Sequence, residues 1–458
     1  MTAELSNPRD IAVMALRDRE GNVSAHLESR LSRQQLKPAN AALARELALG
    51  AHRRRATLDA VLRGYLAQPD RRLPGSLQEI LWVALYQVLM LDRVPAHAAV
   101  NEAVKQAGRF RHRRQAGLVN GVLRAVTRSV SDLETGPVPV ARDVIPVGPE
   151  SFRRLEKPAF ADPAARPAAY LAAAYSLPEV LARRWLGRLG SLEAAVGVAA
   201  HANARAPLIL RVNTSAVAVD AVVAELAEAG VYAHPHANGT SVVLDGYTDV
   251  TRLGPFERGV VQPQDPSATA VVAAADSRPG MRVLDFCAAP GTKTTHLAER
   301  MGNEGSIVAL DVSEEKLSRI EDNCRRMGVE IVETRLAGTA GQLEVGAFDL
   351  VLADVPCSNT GVLSRRAEAR WRFSERALSS LVEDQKFLIR AAGRFVRPGG
   401  RLVYSTCSIE PEEGPQVAQW YVQHESRMRL VKGELTLPAG ATDPTQWRDG
   451  GYVGVLEG

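Results

Sequence analysis

The stretch VLDFCAAPGTKTTHLAE (Val283–Glu299) joins a short apolar run, a turn of small residues and the start of a polar helix. An apolar run of strand length that ends in a Pro-Gly turn and continues at helical spacing is typical of a strand–loop–helix unit. Small residues let the backbone of the loop approach a ligand, and the first turn of the helix offers unpaired amides to an anion. The stretch therefore predicts a βα unit with a ligand-binding turn.

The same order of strand, loop and helix recurs after this turn. Apolar runs lie in GSIVALDVS, VEIVETRLA, AFDLVLADVP and GGRLVYSTCS, with helical stretches such as SEEKLSRIEDNCRRMG between them. This alternation predicts a doubly wound, Rossmann-like α/β domain with a largely parallel sheet over residues 261–458. Ligands of such sheets bind beyond the carboxyl ends of the strands, where the chemically suggestive residues of this chain fall.

Three further segments precede this domain. Residues 1–134 are predicted to form an all-helical domain, since apolar residues recur at helical spacing in stretches such as SLQEILWVALYQVLM. Residues 135–167 are rich in proline and lack periodicity, which is typical of a linker. Over residues 168–260 helical stretches alternate with strand-like ones, PLILRVN and TSVVLDG, which predicts a small α+β module.

The composition of the 458 residues, 46% hydrophobic and 24% charged, is that of a soluble globular protein with two or three domains. The chain has no apolar run of about 18 residues, and its N-terminus lacks the order of a signal peptide. We therefore expect a cytoplasmic protein with no membrane partner.

Positive charge is concentrated in the N-terminal part of the chain. Residues 1–130 hold 21 Lys+Arg and 11 Asp+Glu, a surplus of +10, so the remaining residues carry −6 of the net +4. The basic segment RFRHRR (109–114) lies within this part. Such a surplus fits either a surface that binds a polyanion or a well-solvated helical face.

The turn and the next strand indicate the class of cofactor. A dinucleotide site uses GxGxxG, whereas this turn has the single glycine Gly291, which suits one carboxylate such as that of a methionine moiety. Asp311 ends the next strand 20 residues later (311 − 291), where an acid binds ribose hydroxyls in nucleotide-binding α/β folds. Together these features favour S-adenosylmethionine; the alternative is a tight turn followed by an incidental acid.

The four cysteines, Cys287, Cys324, Cys357 and Cys407, never form a CxxC pair, which excludes zinc ribbons and thioredoxin-type motifs. The nine histidines show no ligand-like spacing, so we expect no metal. Cys324 lies within a helical stretch and is predicted to be structural. Cys357 and Cys407 instead follow two predicted strands directly, in loops rich in Pro, Ser and Thr.

Two thiols beside a methyl donor suit the methylation of carbon 5 of cytosine. That carbon is a poor nucleophile until a thiolate adds at carbon 6, and afterwards its proton must leave and the thiol must be expelled. One cysteine attacks, the second assists release, and Asp354 hydrogen-bonds the nitrogen edge of the ring. A pyrimidine must leave its stack to be reached, so single-stranded or flipped RNA is the expected substrate.

Three motifs in the same order, CAAPGTKT, DVPCSNTG and YSTCS, resemble those of the Sun family of RNA cytosine-carbon-5 methyltransferases. LILRVNTSAV and FERGVVQPQDPSA are similar to the segments that precede the catalytic domain in that family. The whole chain resembles bacterial members with a NusB-like helical RNA-binding domain, a linking module and a Rossmann-like domain. The resemblance implies formation of 5-methylcytosine in 16S ribosomal RNA, and we expect a monomer.

The resemblance also implies roles for residues. Cys407 of the TCS motif would be the nucleophile and Cys357 of the PCS motif would assist product release. Lys293 would either neutralise Asp354 or touch the base. The residues that would bind the cofactor are those of the turn, the ribose acid and the strand-four acid: Cys287, Ala288, Ala289, Pro290, Gly291, Thr292, Lys293, Asp311 and Asp354.

The chain departs from the family at the end of the third strand. In the family an acid usually stands there, near the adenine of the cofactor, whereas VEIVETRLAGTAG places Arg335 or one of its neighbours at that position. Either Glu333, after a small register shift, or backbone amides would then take over the role of the missing acid.

SRRAEARWRF (364–373) is predicted either to contact RNA or to start a helix with a buried aromatic pair. Two alternative functions are the same reaction on transfer RNA or another RNA, and a non-catalytic RNA-binding adaptor.

Overall fold

The computed structural model describes residues 7–17, 23–34, 36–70, 72–246, 248–425 and 427–458. The chain forms two compact units, Met1–Ala204 with Arg366–Arg372 and Arg205–Arg365 with Phe373–Gly458. Within the described ranges, every helix is too short or too polar to cross a membrane.

The first unit is mainly helical. The apolar positions that the sequence predicted to face a core in SLQEILWVALYQVLM are buried, including Ile80, Leu81 and Leu85. Most other residues of that helix are buried too, so it is the central helix of the unit rather than an amphipathic surface helix. The helices are α1 (Pro8–Arg17), α2 (Val23–Leu31), α3 (Pro38–Arg53), α4 (Arg55–Gly64), α5 (Leu77–Met90), α6 (Ala96–Arg109), α7 (Ala116–Ser129), α8 (Pro167–Ala174), α9 (Glu179–Leu189) and α10 (Leu192–Asn203).

A three-stranded antiparallel sheet lies between α7 and α8. Its strands are β1 (Glu134–Thr135), β2 (Val144–Gly148) and β3 (Ser151–Arg154), in the order β1-β3-β2. The prediction of a linker without regular structure over 135–167 is wrong for this part. Strands of two to five residues, one of them interrupted by Pro146, are too short for an alternating pattern to show in the sequence.

The chain from residue 205 onward contains the remaining elements. They are β4 (Leu208–Val212), α11 (Val219–Glu228), β5 (Ala233–Pro235), β6 (Ser241–Leu244), α12 (Gly254–Glu257), β7 (Val261–Pro263), α13 (Pro266–Ala275), β8 (Arg282–Asp285), α14 (Thr292–Arg300), β9 (Ser306–Asp311), α15 (Glu314–Met327), β10 (Val332–Leu336), β11 (Phe348–Asp354), α16 (Ala369–Arg372), α17 (Glu375–Gly393), β12 (Val396–Thr406), α18 (Pro415–His424), β13 (Arg429–Thr436) and β14 (Gly451–Glu457).

A four-stranded antiparallel sheet in the order β5-β6-β4-β7 opens the second unit. Residues 168–260, predicted as one α+β module, are divided at residue 204. Helices α8, α9 and α10 belong to the first unit, whereas the sheet belongs to the second. The order of helices and strands along the chain does not specify which core a helix joins, so the sequence pattern could not place this division.

The second sheet has seven strands in the order β10-β9-β8-β11-β12-β14-β13. The first five are parallel, and β14 and β13 are antiparallel additions at one edge. The chain leaves β8 toward β9 and β10 and later returns on the other side of β8 as β11. This confirms the predicted doubly wound α/β fold, and its topological switch point lies between β8 and β11, where ligands of such folds bind.

The segment Arg366–Arg372 belongs to the first unit although its sequence neighbours belong to the second. Arg370 is fully buried there. Its guanidinium donates to the carbonyl oxygen of Ser176 at 3.1 Å, to that of Ala202 at 2.7 Å and to Oδ1 of Asn203 at 2.9 Å. Arg370 therefore anchors this segment in the helical core through carbonyl and amide oxygens.

Trp371 next to it is also engaged within the first unit. Its indole Nε1 donates to the carbonyl oxygen of His52 at 3.1 Å, and the Arg55 guanidinium lies 3.8 Å above its ring. Phe373 is 7% exposed. Of the two alternatives for residues 364–373, the structure favours a helix start with buried aromatic residues over a loop presenting Arg370 and Trp371 to RNA.

Candidate active site

The turn after β8 needs glycine at position 291. Gly291 has φ of +92°, and a Cβ there would lie 3.1 Å from Cα of Ile320. Backbone hydrogen bonds fix the turn: the amide of Ala288 donates to Leu310, and that of Gly291 to Ala288, each at 2.8 Å. A side chain at this position would strain the backbone and collide with α15. The predicted tight turn thus leads directly into α14.

Asp311, the predicted ribose acid, ends β9 and lies against this turn. Its Oδ2 accepts from the amide of Ala289 at 3.2 Å and its Oδ1 from that of Val312 at 2.8 Å. The Lys316 ammonium lies 3.3 Å from Oδ1. These contacts fix a carboxylate at the edge of the switch point, in the position that suits a ribose diol.

Asp285 ends β8 at the floor of the site. It is 1% exposed, and its Oδ2 accepts from the hydroxyl of Thr294 at 2.7 Å. Its Oδ1 has no hydrogen-bond partner among the described residues. Burial raises the pKa of Asp285 to about 7. An unpartnered buried acceptor beside the uncapped first turn of α14 fits a ligand that carries both an ammonium and a carboxylate, as a methionine moiety does.

Lys293 and Asp354 form an ion pair, as one of the two predicted roles of Lys293 requires. The Lys293 ammonium lies 2.6 Å from Oδ2 of Asp354, and the Ser405 hydroxyl donates to Oδ1 at 2.6 Å. Burial opposes the charge on Lys293, but the attraction of Asp354, with a further contribution from Cys407, leaves the pKa of Lys293 above its ordinary value. In this structure Lys293 therefore neutralises Asp354.

The structure brings Cys357 and Cys407 together. Their Sγ atoms lie 3.2 Å apart, and the Cys407 thiol also donates to Oδ1 of Asn359 at 3.3 Å. Strands β11 and β12 are parallel neighbours with Asp354 opposite Ser405, so the loops after them emerge side by side. Because both thiols follow strand ends at the switch point, they share its edge with the Lys293–Asp354 pair.

The environments of the two thiols differ. Cys357 is buried, whereas Cys407 is partly exposed. The hydrogen bond with Cys407, burial and the nearby Glu413 carboxylate hold the pKa of Cys357 well above its ordinary range. Cys357 is therefore a neutral thiol at neutral pH.

Glu413, which the sequence did not indicate as a site residue, connects the two cysteine loops. It is fully buried and accepts from the amide of Ser358 at 2.8 Å, from Nε2 of Gln385 at 3.0 Å and from the hydroxyl of Ser408 at 2.5 Å. The hydroxyl of Ser358 donates to it as well. Its carboxylate thus holds the residues that follow Cys357 and Cys407. The only sequence signal was the acidic run EPEEG after the second cysteine.

The other two cysteines lie outside this pair. Burial, followed by nearby carboxylates, raises the pKa of Cys287 to about 12, and burial raises that of Cys324 to about 11. Cys324 is 8% exposed on α15, as its helical position predicted. Neither thiol is suited to act as a nucleophile.

At the end of β10 the position of the usual acid is occupied by an ion pair. The Arg335 guanidinium lies 2.7 Å from the Glu333 carboxylate, and both side chains are partly or largely exposed.

In the basic segment 109–114, Arg109 pairs with Asp10 and Glu102 within the first unit, whereas Arg113 and Arg114 are exposed. Among the described side chains, no group of three or more His, Cys, Asp or Glu is arranged to hold a metal.

The switch-point turn, Asp311 at the end of β9 and the thiol pair fit a methyltransferase, and comparison with known families defines the class of protein: it is an S-adenosylmethionine-dependent RNA methyltransferase. Family models for three regions match the chain. They are the 16S rRNA methyltransferase RsmB/F model over residues 272–447, the NusB family model over 6–128 and the RsmF/B-like ferredoxin-like domain over 177–251.

A relative from Erwinia tasmaniensis, "Ribosomal RNA small subunit methyltransferase B", is 31% identical over 91% of this chain and 90% of its own length. The chain belongs to this family of methyltransferases. Two solved structures share its fold. The structure of PH0851 is 23% identical and matches 98% of this chain and 99% of its own chain, with a TM-score of 0.73. A methyltransferase homologue from Pyrococcus horikoshii is 26% identical and matches 65% of this chain and 99% of its own chain, with a TM-score of 0.53.

Proposed function

We propose that the protein forms 5-methylcytosine in 16S ribosomal RNA through a covalent bond between Cys407 and carbon 6 of the target cytosine. The observation that carries the proposal is the pair of Sγ atoms 3.2 Å apart, beside the Lys293–Asp354 ion pair at the switch point. Methylation at a nucleophilic atom would need no covalent bond to the base, so a thiol pair favours an unreactive ring carbon. The cytoplasm, where ribosomal RNA is processed in bacteria, is the proposed compartment.

The difference between the thiols supports Cys407 as the nucleophile. It is the more exposed of the two, and the positive charge of Lys293 interacts with it. Its thiolate adds to carbon 6, and the electron pair of the 5,6 double bond moves into the ring toward nitrogen 3 and oxygen 2. Carbon 5 becomes enamine-like and therefore nucleophilic.

Asp354 and Lys293 act on the opposite side of the base. Asp354, held by Ser405 and Lys293, hydrogen-bonds the nitrogen edge of the ring. The ammonium of Lys293 stabilises the negative charge that thiolate addition places on the ring. Nitrogen 3 then takes a proton from water and donates a hydrogen bond to the Asp354 carboxylate, whose side chain is 31% exposed.

S-adenosylmethionine, when bound, supplies an electrophilic methyl group. The residues proposed to hold it are Cys287, Ala288, Ala289, Pro290, Gly291, Thr292 and Lys293 of the turn, with Asp311 at the ribose and Asp354 near the methyl group. The first amides of α14 suit its carboxylate, and the buried carboxyl of Asp285 suits its ammonium.

Cys357 assists release of the product. After methylation the proton on carbon 5 leaves to water, the 5,6 double bond re-forms as the bond between carbon 6 and sulfur breaks, and the proton on nitrogen 3 also leaves to water. A neutral Cys357 thiol 3.2 Å from the departing sulfur donates a hydrogen bond to the thiolate of Cys407 and stabilises it as a leaving group.

The NusB-like helical domain of residues 1–134 is proposed as an RNA-binding domain that precedes the catalytic domain of 261–458. The surplus of ten positive charges over residues 1–130 and the exposed Arg113 and Arg114 support this role. Residues 135–204 continue the first unit and 205–260 open the second, so both segments lie between these two domains in the chain. The protein is proposed to act as a monomer.

Bisulfite sequencing tests the proposed function. In a strain that lacks the gene, one cytosine of 16S ribosomal RNA becomes convertible, and the wild-type gene restores its protection whereas a Cys407→Ala gene does not. If all positions of 16S ribosomal RNA remain unchanged while a transfer RNA cytosine becomes convertible, the reaction stands and the proposed substrate is wrong. No change in any RNA would contradict the proposed reaction.

A further inference from the structure

The two thiols at the switch point are close enough to react with each other as well as with RNA. The Sγ atoms of Cys357 and Cys407 lie 3.2 Å apart, whereas the sulfurs of a disulfide are about 2.05 Å apart. The two sulfurs therefore need to approach by only about 1.2 Å to become bonded. Cysteines at this separation are positioned for reversible oxidation.

The backbone around the pair suits a disulfide. Strands β11 and β12 are parallel neighbours with Asp354 opposite Ser405, and strands paired in this way lie about 4.8 Å apart. That spacing lies within the roughly 4.4–6.8 Å that separate the Cα atoms of disulfide-bonded cysteines. Both cysteine loops start at these strand ends, and Glu413 holds the residues that follow the cysteines. A bond between the sulfurs thus needs no rearrangement of the sheet.

The exposures of the two thiols divide the steps of oxidation between them. Cys407 is partly exposed, so a small oxidant dissolved in water reaches its sulfur, whereas Cys357 is buried. Cysteines that sense oxidants are accessible to solvent and have a second thiol beside them that reacts with the first oxidation product. Cys407 fits the first of these roles and Cys357 the second.

We infer that Cys357 and Cys407 form a reversible disulfide when the enzyme meets a hydroperoxide such as hydrogen peroxide, and that this bond stops methyl transfer. The loss of activity rests on the proposed function, since it follows from the role of Cys407 as the nucleophile. A disulfide leaves Cys407 without a thiolate that can add to carbon 6 of cytosine. The cofactor turn takes no part in the bond, so the oxidised enzyme still binds S-adenosylmethionine.

The disulfide forms in two steps. The Cys407 thiolate attacks one oxygen of hydrogen peroxide, the O–O bond breaks, and the other oxygen leaves as hydroxide, which the proton of the Cys407 thiol converts to water. The Cys357 sulfur then attacks the sulfur of the resulting sulfenic acid. The S–O bond breaks, and the departing hydroxide takes the proton of Cys357. Two thiols and one hydrogen peroxide thus give one disulfide and two water molecules, and the two electrons lost by the sulfurs reduce the peroxide.

The disulfide also protects the nucleophile from irreversible damage. A sulfenic acid that meets no second thiol is oxidised further to a sulfinic acid, which thiols do not reduce. With Cys357 beside it, the sulfenic acid of Cys407 is captured as a disulfide instead. A dithiol reverses this bond by thiol–disulfide exchange, so the enzyme stops while hydroperoxide is present and resumes afterwards.

Peptide mapping tests the bond directly, because the four cysteines lie in four different tryptic peptides. Wild-type enzyme is treated with hydrogen peroxide, blocked with iodoacetamide and digested without a reductant. The peptides 336–365 and 402–427, which contain Cys357 and Cys407, should appear joined. Methyl transfer to a 16S ribosomal RNA transcript should fall at least tenfold, in step with the joined fraction, and dithiothreitol should restore it to within twofold. The Kd of S-adenosylmethionine should stay within twofold throughout.

Cys357→Ala tests the role of the second thiol, because it keeps Cys407 and removes its partner. After the same treatment its Cys407 peptide should carry two added oxygen atoms, as a sulfinic acid, and dithiothreitol should not remove them. The matched control is Cys324→Ala, which lacks a buried thiol of α15. It should form the joined peptides and lose activity like wild type.

The inference is wrong if hydrogen peroxide inactivates the wild-type enzyme without joining the two peptides, or if the joined enzyme methylates the transcript like untreated enzyme. It is also wrong if Cys407 of the wild type becomes a sulfinic acid as readily as in Cys357→Ala. The joined peptides are measured without RNA. Untreated enzyme that joins its thiols on oxidation but methylates no cytosine would therefore reject the proposed function, while the disulfide itself would stand.

Discussion

The Sγ atoms of Cys357 and Cys407 lie 3.2 Å apart although 50 residues separate them in the chain. Adjacent parallel strands with Asp354 opposite Ser405 create this proximity. The separation exceeds the roughly 2.05 Å of a disulfide, so the pair consists of two thiols in contact. One is buried with a raised pKa and the other is partly exposed, and this difference supports the proposed division of roles between nucleophile and leaving-group partner.

Replacing the proposed nucleophile should stop methyl transfer without loss of RNA binding. Cys407→Ala removes the sulfur that adds to carbon 6, so incorporation of tritiated methyl groups from S-adenosylmethionine should fall to background. The Kd of a 16S ribosomal RNA transcript should stay within twofold of wild type. Cys324→Ala, at a buried thiol on α15, is the control and should retain turnover. Normal turnover by folded Cys407→Ala would rule out its role.

Glu413 is expected to act as a positioning residue for both cysteine loops. Glu413→Ala leaves buried donors of Ser358, Ser408 and Gln385 without an acceptor and should cost about 2–4 kcal/mol of unfolding free energy. We expect kcat to fall at least tenfold with little change in the KM for S-adenosylmethionine. Glu413→Gln, which keeps one carbonyl acceptor, should recover part of kcat.

The control for Glu413 is Glu434→Ala, since Glu434 is largely exposed and pairs only with the exposed Lys432 in the described structure. It should change stability by less than about 0.5 kcal/mol. Denaturant unfolding and initial rates check both variants. Wild-type kcat in Glu413→Ala would show that the carboxylate does not position the thiols.

Arg370 should be important for the stability of the first unit. Arg370→Ala leaves buried carbonyl oxygens unsatisfied and opens a cavity, so it should cost about 3 kcal/mol or more of unfolding free energy. Arg370→Lys should recover little, because one ammonium cannot reach all the acceptors of the guanidinium. Arg372→Ala, at an exposed residue of the same helix, is the matched control; equal stability of the two alanine variants would disprove this role.

Asp285 should make the unfolding free energy fall with rising pH. Its pKa is about 7 in the folded protein against an ordinary 3.8, so between these values the folded state holds a proton that the unfolded state has lost. The stabilisation is full below the lower value and is lost as pH rises through about 7. Asp285→Asn should therefore flatten the pH dependence by up to about 1.4 kcal/mol per unit over pH 5–7.

Urea unfolding at pH 5, 6, 7 and 8 measures this effect as the difference between wild type and Asp285→Asn. Asp322→Asn, at an exposed carboxylate of α15, is the control and should run parallel to wild type. If the difference in unfolding free energy between wild type and Asp285→Asn does not change with pH, Asp285 is not protonated in the folded protein near neutral pH.

Residues that follow strands were the most predictable part of the site. Gly291, Asp311, Asp354, Cys357 and Cys407 all come at or just after strand ends, and in a parallel sheet those ends share one edge. Apolar runs of four to seven residues between helical stretches specified the sheet, because strands buried on both faces are continuously apolar. The sequence therefore predicted both the fold and the meeting of the thiols.

The remaining features depend on long-range packing that no local pattern encodes. Glu413 was not predicted as a site residue, yet the serines after both cysteines and Gln385 of α17 converge on it. RNA contact was one of two alternatives predicted for Arg370 and Trp371, yet the arginine is buried and donates to carbonyl oxygens of α10 and its neighbours. An exposed and a buried arginine have the same sequence signature, and the partners alone distinguish them.

The most direct test of covalent catalysis is the fate of RNA bound to Cys357→Ala. Incubated with S-adenosylmethionine and a 16S ribosomal RNA transcript, this variant should accumulate an RNA–protein adduct that survives denaturing electrophoresis, because Cys407 is no longer helped to leave. Mass spectrometry of the digested adduct should place a methylated cytidine on the peptide containing Cys407, and Cys357→Ala/Cys407→Ala should form none. A Cys357→Ala enzyme that turns over without any adduct, or an adduct on another residue, would contradict the account.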